Sequence, residues 1–301
     1  MRGFIALSSL LLASAAPVAG QDPEPPTDAQ ILGIGTDIPG RMTVPVTIAG
    51  SGPYPFTIDT GAERTVISRE LAARLNLAAG RGVRITAMTG TSTVGTVVVP
   101  ALAVSTAGKA RIEAPLLAGE DLGAPGLLGL DSLQGHAVSI DFDKQRMAVV
   151  KSRRGRLPGS EPSDIVVQAK SLHGQLVVTD AYYRGTRVRV VLDTGSVVSM
   201  GNLALRAKVA RKQSGFTPVA VTSVTGDTMT ADYTQIGEVS LGSVIFQNLP
   251  VAFADAAPFR QLGLSDKPAI LLGMDALKQF RRVDIDFANR QVRLALPRTR
   301  R

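Results

Sequence analysis

The feature that most constrains this chain is that it is written twice. Residues 41–77 (RMTVPVTIAGSGPYPFTIDTGAERTVISRELAARLNL) and 174–210 (GQLVVTDAYYRGTRVRVVLDTGSVVSMGNLALRAKVA) follow one plan: alternating apolar run, Gly-containing turn, second alternating run, Asp-Thr-Gly, short β-forming run, amphipathic stretch. Val44, Val46 and Ile48 recur at period two, as do Val188, Val190 and Leu192, which argues strands with one buried face. Leu71 and Leu75, and Leu203 and Val209, set among Ala, Arg and Lys, suit the inward face of a helix. The parallel continues downstream, where GLLGLDSL at 126–133 is matched by ILLGMDAL at 270–277 and each is followed by β-rich runs, 138–150 and 283–296. Asp59 and Gly129 lie 70 positions apart and Asp193 and Gly273 lie 80 apart, so the copies differ by a modest insertion. A repeat of this kind predicts two homologous β-rich lobes.

The stretches outside the repeat divide the chain further. Residues 1–20 carry one Arg, an apolar run and small residues before Gln21, the pattern of a secretory signal peptide, so the protein is expected to be exported, either periplasmic or secreted. Residues 21–30 (QDPEPPTDAQ) read as a polar, Pro-rich spacer, 31–150 as the N-terminal lobe, 151–164 (KSRRGRLPGSEPSD) as an exposed linker, and 165–301 as the C-terminal lobe. After the leader no apolar segment reaches the length of a membrane span without charge, Gly or Pro.

Composition narrows the chemistry. With no Cys there is no disulfide framework, thiolate metal site or thiol nucleophile, and the only two His, His136 and His173, form no ligand pair, so no metal and no cofactor are expected. Neither a Gly-x-Ser-x-Gly elbow nor a strand-borne dinucleotide loop is present. The formal charge of +8 is spread over separate basic runs (151–156, 206–212, 297–301) without interleaved aromatics. It predicts a basic solvated exterior rather than a nucleic-acid interface. Carboxylates, hydroxyls, Lys, Arg and Tyr are left to carry any reaction.

One Asp-Thr-Gly is weak, since roughly one chain in twenty of this size would hold it by chance. Two copies, each after an apolar strand and each followed by the same Leu-Leu-Gly signal, argue against a duplicated β-barrel whose Asp residues only cap turns. On these residues the chain resembles the retropepsin-like and pepsin-like aspartic peptidases, most closely bacterial exported proteins in which two retroviral-type units are fused. The resemblance spans nearly the whole chain after the spacer: Asp59, Thr60, Gly61, Ala62 and Asp193, Thr194, Gly195, Ser196, then the hairpins around Gly90 and Gly226, then Leu127-Leu128-Gly129 and Leu271-Leu272-Gly273. It implies an all-β, bilobal acid-protease fold with one cleft, in which Asp59 and Asp193 share a proton and activate a water against a peptide bond. It also implies that Thr60 and Thr194 lock the loops together, and that Met88, Thr89, Gly90, Val224, Thr225 and Gly226 belong to flaps over the substrate. The pepsin-type flap Tyr has no counterpart. The implied partner is a peptide or protein substrate, and both motifs in one chain imply a monomer.

Several local expectations follow. Ala62 against Ser196 is the one difference within the motif; a Ser hydroxyl donating to its carboxylate would make Asp193 the ionised partner and Asp59 the protonated one. Met88, Val94, Val224 and Met229 are candidates for pocket walls or for barrel core. Asp131 and Asp275, at identical spacing after Leu-Leu-Gly, read as turn or helix-start residues, with a helix N-cap role favoured over catalysis, and Asp141, Asp143 and Asp286 as ordinary residues on or beside the terminal strands. A catalytically inactive exported peptide-binding module, or a structural or inhibitor-like repeat protein, would use the same scaffold. Two facing carboxylates favour the enzyme, because their repulsion costs stability unless it is used.

Overall fold

Each lobe begins with the pairing its alternation predicts. In the computed structural model, which describes residues 30–33, 43–104, 107–109, 111–133, 135–152 and 161–298, strand Thr43–Ile48 pairs antiparallel with Ser51–Ile58, and strand Gln175–Tyr183 with Thr186–Leu192. Val44, Val46, Ile48, Phe56 and Ile58 in one lobe, and Val178, Val188, Val190 and Leu192 in the other, are buried in one continuous apolar core. Arg184 and Gly185 close the second hairpin with positive φ at both positions, the turn whose twist matches that of the strands. Each fully buried Val, Leu, Ile or Phe stabilises the fold by roughly 1.5–3 kcal/mol before chain entropy is set against it.

The strand that carries each Asp-Thr-Gly then pairs in parallel with the Leu-Leu-Gly strand, Ile58 opposite Leu128 and Leu192 opposite Leu272. That same strand pairs on its other side, antiparallel, with the chain that has just left the motif: Gly126–Leu128 with Val66–Ser68, and Ala269–Leu272 with Met200–Gly201. The Asp-Thr-Gly turn is thereby pinned between two strands that hydrogen-bond to a common third. A Cβ on Gly129 would run into the backbone of Arg64 and Thr65, and one on Gly273 would lie 2.8 Å from the backbone of Val198. Glycine is required at both places because the loop crosses there.

Short helices follow. Arg69–Arg74 is capped by Ser68, whose Oγ accepts the Leu71 N–H at 3.1 Å, and Leu203–Val209 by Asn202, whose Oδ1 accepts the Leu205 N–H at 2.9 Å. Leu205 and Val209 form the buried face of the second helix. Leu203, expected on that face, is its first residue and is 51 % exposed, because the helix begins one position before the inward stripe.

A six-stranded antiparallel section joins the lobes in the order Gln30–Gly33, Arg146–Lys151, His136–Asp141, Arg282–Asp286, Gln291–Ala295, Ile165–Leu172. Three strands come from each half, and the junction lies where Ala137–Asp141 in register face Asp286–Arg282. Val138, Ile140, Val283, Ile285, Val292 and Leu294 alternate toward the core. The opposite side buries charge: Arg282 pairs with Asp164 at 2.7 Å and lies 3.2 Å from Asp284, and Arg281 pairs with Glu161 at 2.9 Å. Asp286, expected to be an unremarkable strand residue, is buried and accepts from Ser152 Oγ at 2.7 Å and from Asn289.

The boundaries shift slightly from those expected. Gln30, placed in the spacer, opens the first strand, and Lys151 closes a strand rather than opening the linker. Glu161 and Asp164 are tied to the sheet, while residues 153–160 of the linker, the leader 1–20 and the rest of the spacer lie outside the described residues. No described helix is long and apolar enough to cross a membrane.

Candidate active site

The two Asp-Thr-Gly loops meet at the lobe junction and are bound by a reciprocal set of hydrogen bonds. Thr60 Oγ1 donates to the Leu192 carbonyl and Thr194 Oγ1 to the Ile58 carbonyl, both at 2.8 Å. The Thr60 N–H donates to Thr194 Oγ1, and the Thr194 N–H to Thr60 Oγ1, both at 3.1 Å. Both threonines are buried, so four charge-neutral bonds are made where water cannot replace them. The lock that the family resemblance implied is present in full.

Above the lock the two carboxyl groups share a side-chain hydrogen bond. A Cβ on Gly195 would collide with the Asp59 carboxyl group, and one on Gly61 would lie 3.0 Å from Asp193 Oδ1. Glycine at both positions is what allows the carboxyls to meet. Asp59 is partly exposed, and its Oδ1 accepts the N–H groups of Gly61 at 2.8 Å and Ala62 at 3.0 Å. Asp193 is 6 % exposed, and its Oδ1 accepts the Gly195 N–H at 3.1 Å. Burial pushes the Asp193 carboxyl well above the ordinary carboxylate range; the neighbouring Asp59 carboxyl adds to the rise, and the backbone N–H groups of Gly195 and Ser196 oppose it.

This reverses the expected asymmetry. Ser196 Oγ has no hydrogen-bond partner among the described residues, so it does not hold Asp193 ionised. Desolvation dominates at Asp193 and favours its neutral form, while the better-solvated Asp59 accepts the shorter N–H bonds.

Asp131 and Asp275 stand in the first turns of the short helices Leu130–Leu133 and Met274–Leu277, as helix-start residues, but their carboxylates serve another purpose than capping. Asp131 Oδ1 accepts the Thr65 N–H at 3.0 Å and its hydroxyl at 2.6 Å, and Asp275 accepts the Ser199 N–H at 3.0 Å and its hydroxyl at 2.7 Å. Thr65 Oγ1 and Ser199 Oγ in turn accept the N–H of Gly129 and Gly273, at 3.2 and 3.0 Å. Each Asp thus clamps the far end of its Asp-Thr-Gly loop to the strand behind it, which is a positioning role. The signal was available in the sequence: a hydroxyl residue six positions after each motif Asp, and an Asp two positions after each Leu-Leu-Gly glycine.

A cleft of about 250 Å³ opens over the dyad, lined by Asp59, Gly61, Asp193, Gly195 and residues of both lobes. It is covered by two hairpins. Strands Val83–Ala87 and Gly90–Val94 turn at Met88 and Thr89, and strands Thr217–Thr222 and Thr228–Ile236 turn through residues 223–227 with Gly226 at φ +83°. Each tip crosses to the other lobe. Met88 packs on the C-terminal cluster around Phe259 and Leu262, and its carbonyl accepts the Ala257 N–H at 3.0 Å; Val224 packs on the N-terminal cluster of Val66, Leu117, Leu122 and Leu127.

Of the six hairpin residues singled out from the sequence, Met88 and Val224 line the cleft, and Thr89, Gly90, Thr225 and Gly226 do not. Val94 and Met229, also considered for its walls, pack against the two lobe clusters instead. Gln175, which nothing in the sequence pattern marked, is buried in the cleft and donates from Nε2 to the Gly61 carbonyl. Among the described residues no group of His, Asp and Glu is arranged to hold a metal.

No curated protein matches the chain. Residues 44–135 match the family model described as gag-polyprotein putative aspartyl protease, and residues 179–276 match that described as aspartyl protease, so each lobe is recognised separately and the match follows the duplication. With one such domain in each lobe and the paired Asp-Thr-Gly loops between them, the chain belongs to the retropepsin-like, two-lobe aspartic peptidases.

Proposed function

We propose that the protein is an aspartic endopeptidase in which Asp59 and Asp193 are the catalytic residues. The observation that carries this reading is the hydrogen-bonded pair of carboxyl groups, one buried and one partly exposed, on the floor of a cleft covered from both lobes. Two carboxylates this close do not both ionise cheaply, and the pair holds one proton between them, as in aspartic peptidases at large.

With the charge on Asp59 and the proton on Asp193, the roles divide. Asp59 takes a proton from a water as its oxygen bonds to the scissile carbonyl carbon, and Asp193 gives its proton to the carbonyl oxygen, forming a neutral gem-diol. Asp59 then passes its proton to the amide nitrogen as the C–N bond breaks, and Asp193 recovers a proton from the gem-diol hydroxyl. The dyad ends as it began and no covalent acyl-enzyme forms. The hairpins act as flaps: Met88 and Val224 close the roof, and an extended peptide would pair with their strands.

Asp59→Asn and Asp193→Asn decide the matter on a peptide library, read by mass spectrometry. Each substitution is expected to lower kcat/KM by about 10²–10⁴-fold, the usual worth of a positioned acid or base. Cleavage that survives either change would overturn the dyad assignment. Peptide binding without cleavage by the unmodified protein would support the inactive binding module instead.

A further inference from the structure

The charged side chains that line the cleft beyond the dyad all come from the N-terminal lobe. They are Glu63 and Arg64, four and five positions after Asp59, and Arg84, on the strand leading to the Met88 turn. The repeat supplies their counterparts. Val197 and Val198 hold the same positions after Asp193, and alignment of the hairpin sequences RITAMTG and AVTSVTG sets Ala220 opposite Arg84. The duplicated scaffold therefore carries charge on one side of its cleft and none at the equivalent positions on the other.

The three charges are not equally engaged. Glu63 is drawn toward the C-terminal lobe, where its Oε1 accepts from Gln261 Nε2 at 3.1 Å. Arg64 lies within electrostatic reach of Glu113 but forms no ion pair with it among the described residues. The exposed Arg84 side chain makes neither an ion pair nor a hydrogen bond there. Its strand is nonetheless fixed over the cleft, because the Met88 carbonyl is held by the Ala257 N–H. A guanidinium carried at the cleft wall on a fixed strand and left without an acid is suited to a carboxylate brought by the ligand, with two parallel N–H donors available. The net charge of +8 acts in the same direction on an approaching anion.

We propose that Arg84 is a specificity-determining residue that selects peptides carrying an Asp or Glu side chain on the N-terminal-lobe side of the cleft, with Arg64 adding to the same field. The proposal rests on the peptidase reading of the site, and its test separates the two. Matched peptide pools, one containing Glu and the other Gln at the same positions, are offered at low ionic strength and about pH 6, where the substrate carboxylates are ionised. Cleavage is followed with the unmodified protein, and binding by fluorescence anisotropy with the Asp59→Asn variant, alone and combined with changes at position 84. The Glu pool is expected to be favoured about fivefold, the upper range for a solvent-exposed ion pair. Arg84→Ala, which installs the residue found at the equivalent place in the other hairpin, should bring the ratio close to one. Arg84→Glu should invert it, and Arg84→Lys should keep part of it. An unchanged ratio in both Arg84→Ala and Arg84→Glu overturns the proposal. Binding with the expected charge preference but no cleavage supports the selectivity while overturning the peptidase reading. Cleavage with no charge preference does the reverse, and binding of neither pool overturns both.

Discussion

The two lobes agree in what holds their Asp-Thr-Gly loops and differ in what surrounds the carboxyl groups. Thr60 and Thr194 make the same bonds at the same lengths, and Asp131 and Asp275 clamp equivalent hydroxyl residues. Asp59, by contrast, is partly exposed and accepts N–H bonds at 2.8 and 3.0 Å, whereas Asp193 is buried and accepts the Gly195 N–H at 3.1 Å. The difference teaches that duplication builds a symmetric scaffold, and that burial, which the motif does not specify, is the largest cause of the raised Asp193 carboxyl. It also separates the substitutions that should act alike in both lobes from those that should not.

The largest effect is expected where the asymmetry is steric. A Cβ at Gly195 collides with the Asp59 carboxyl group, while one at Gly61 meets Asp193 Oδ1 at 3.0 Å, a distance that a small shift relieves. Gly195→Ala should lower kcat/KM by about 10²-fold or more, in keeping with the cost of a misplaced catalytic group. Gly61→Ala should cost less. Equal losses in steady-state assays would show that the carboxyls are not disposed as described.

The threonine lock tests the symmetric side. Thr60→Val and Thr194→Val each remove a hydroxyl that donates to the opposite lobe's carbonyl and accepts its N–H, leaving both groups buried and unpaired. Each should destabilise the protein by about 1–3 kcal/mol in urea denaturation, and by the same amount within error. The double substitution should cost less than the sum, because the hydroxyls share one network. A marked inequality between the single variants would break the symmetry of the scaffold itself.

A smaller effect comes from the proton. A carboxyl whose pKa is raised on folding binds a proton that the unfolded chain has already released, so its contribution to stability is present at low pH and lost as pH rises through the folded value. Asp193 is such a group, and so is Asp284, which burial raises against the opposing pull of Arg282. Both belong to the C-terminal lobe. Asp193→Asn should therefore raise Tm at neutral pH relative to the unmodified protein, with a smaller gain or none in the acid range; Asp284→Asn should act in the same sense, reduced by loss of the Arg282 contact. Thermal melts across pH check the sign, and a gain confined to acid would reverse the assignment.

How much of this was legible in the sequence depends on whether a feature repeats. The strands around Val44 and Val188, the Asp-Thr-Gly pair, the Leu-Leu-Gly strand and the hairpins were readable because each occurs twice in the same order, and alternation sets which face is buried. The clamp formed by Asp131 with Thr65 and Asp275 with Ser199 repeats just as clearly, but long-range bonds across 66 and 76 positions are not implied by local spacing, so a cap was the nearest local reading. Features that occur once were hidden: Gln175 beneath the cleft, the Ala257 N–H that holds Met88, and the charged back of the shared sheet around Asp284. Leu203 shows the residual uncertainty of helix phase, since one residue at an N-terminus decides between core and solvent.

The smallest effect is expected from the one residue by which the two motifs differ. If the motif itself set the protonation of the dyad, removing the Ser196 hydroxyl would raise the Asp193 carboxyl further and move the acid limb of the pH–rate profile. In the structure Ser196 meets the dyad through its backbone N–H, which Ala supplies equally well, and its Oγ has no partner among the described residues. The rise at Asp193 comes from burial and from the Asp59 carboxyl, and neither changes when the hydroxyl is lost. Ser196→Ala should thus leave the acid limb of kcat/KM where it is, and Ala62→Ser, the reciprocal exchange, should do no more. A resolvable shift in either profile would return control of the proton to the motif and remove burial as the source of the difference between the lobes.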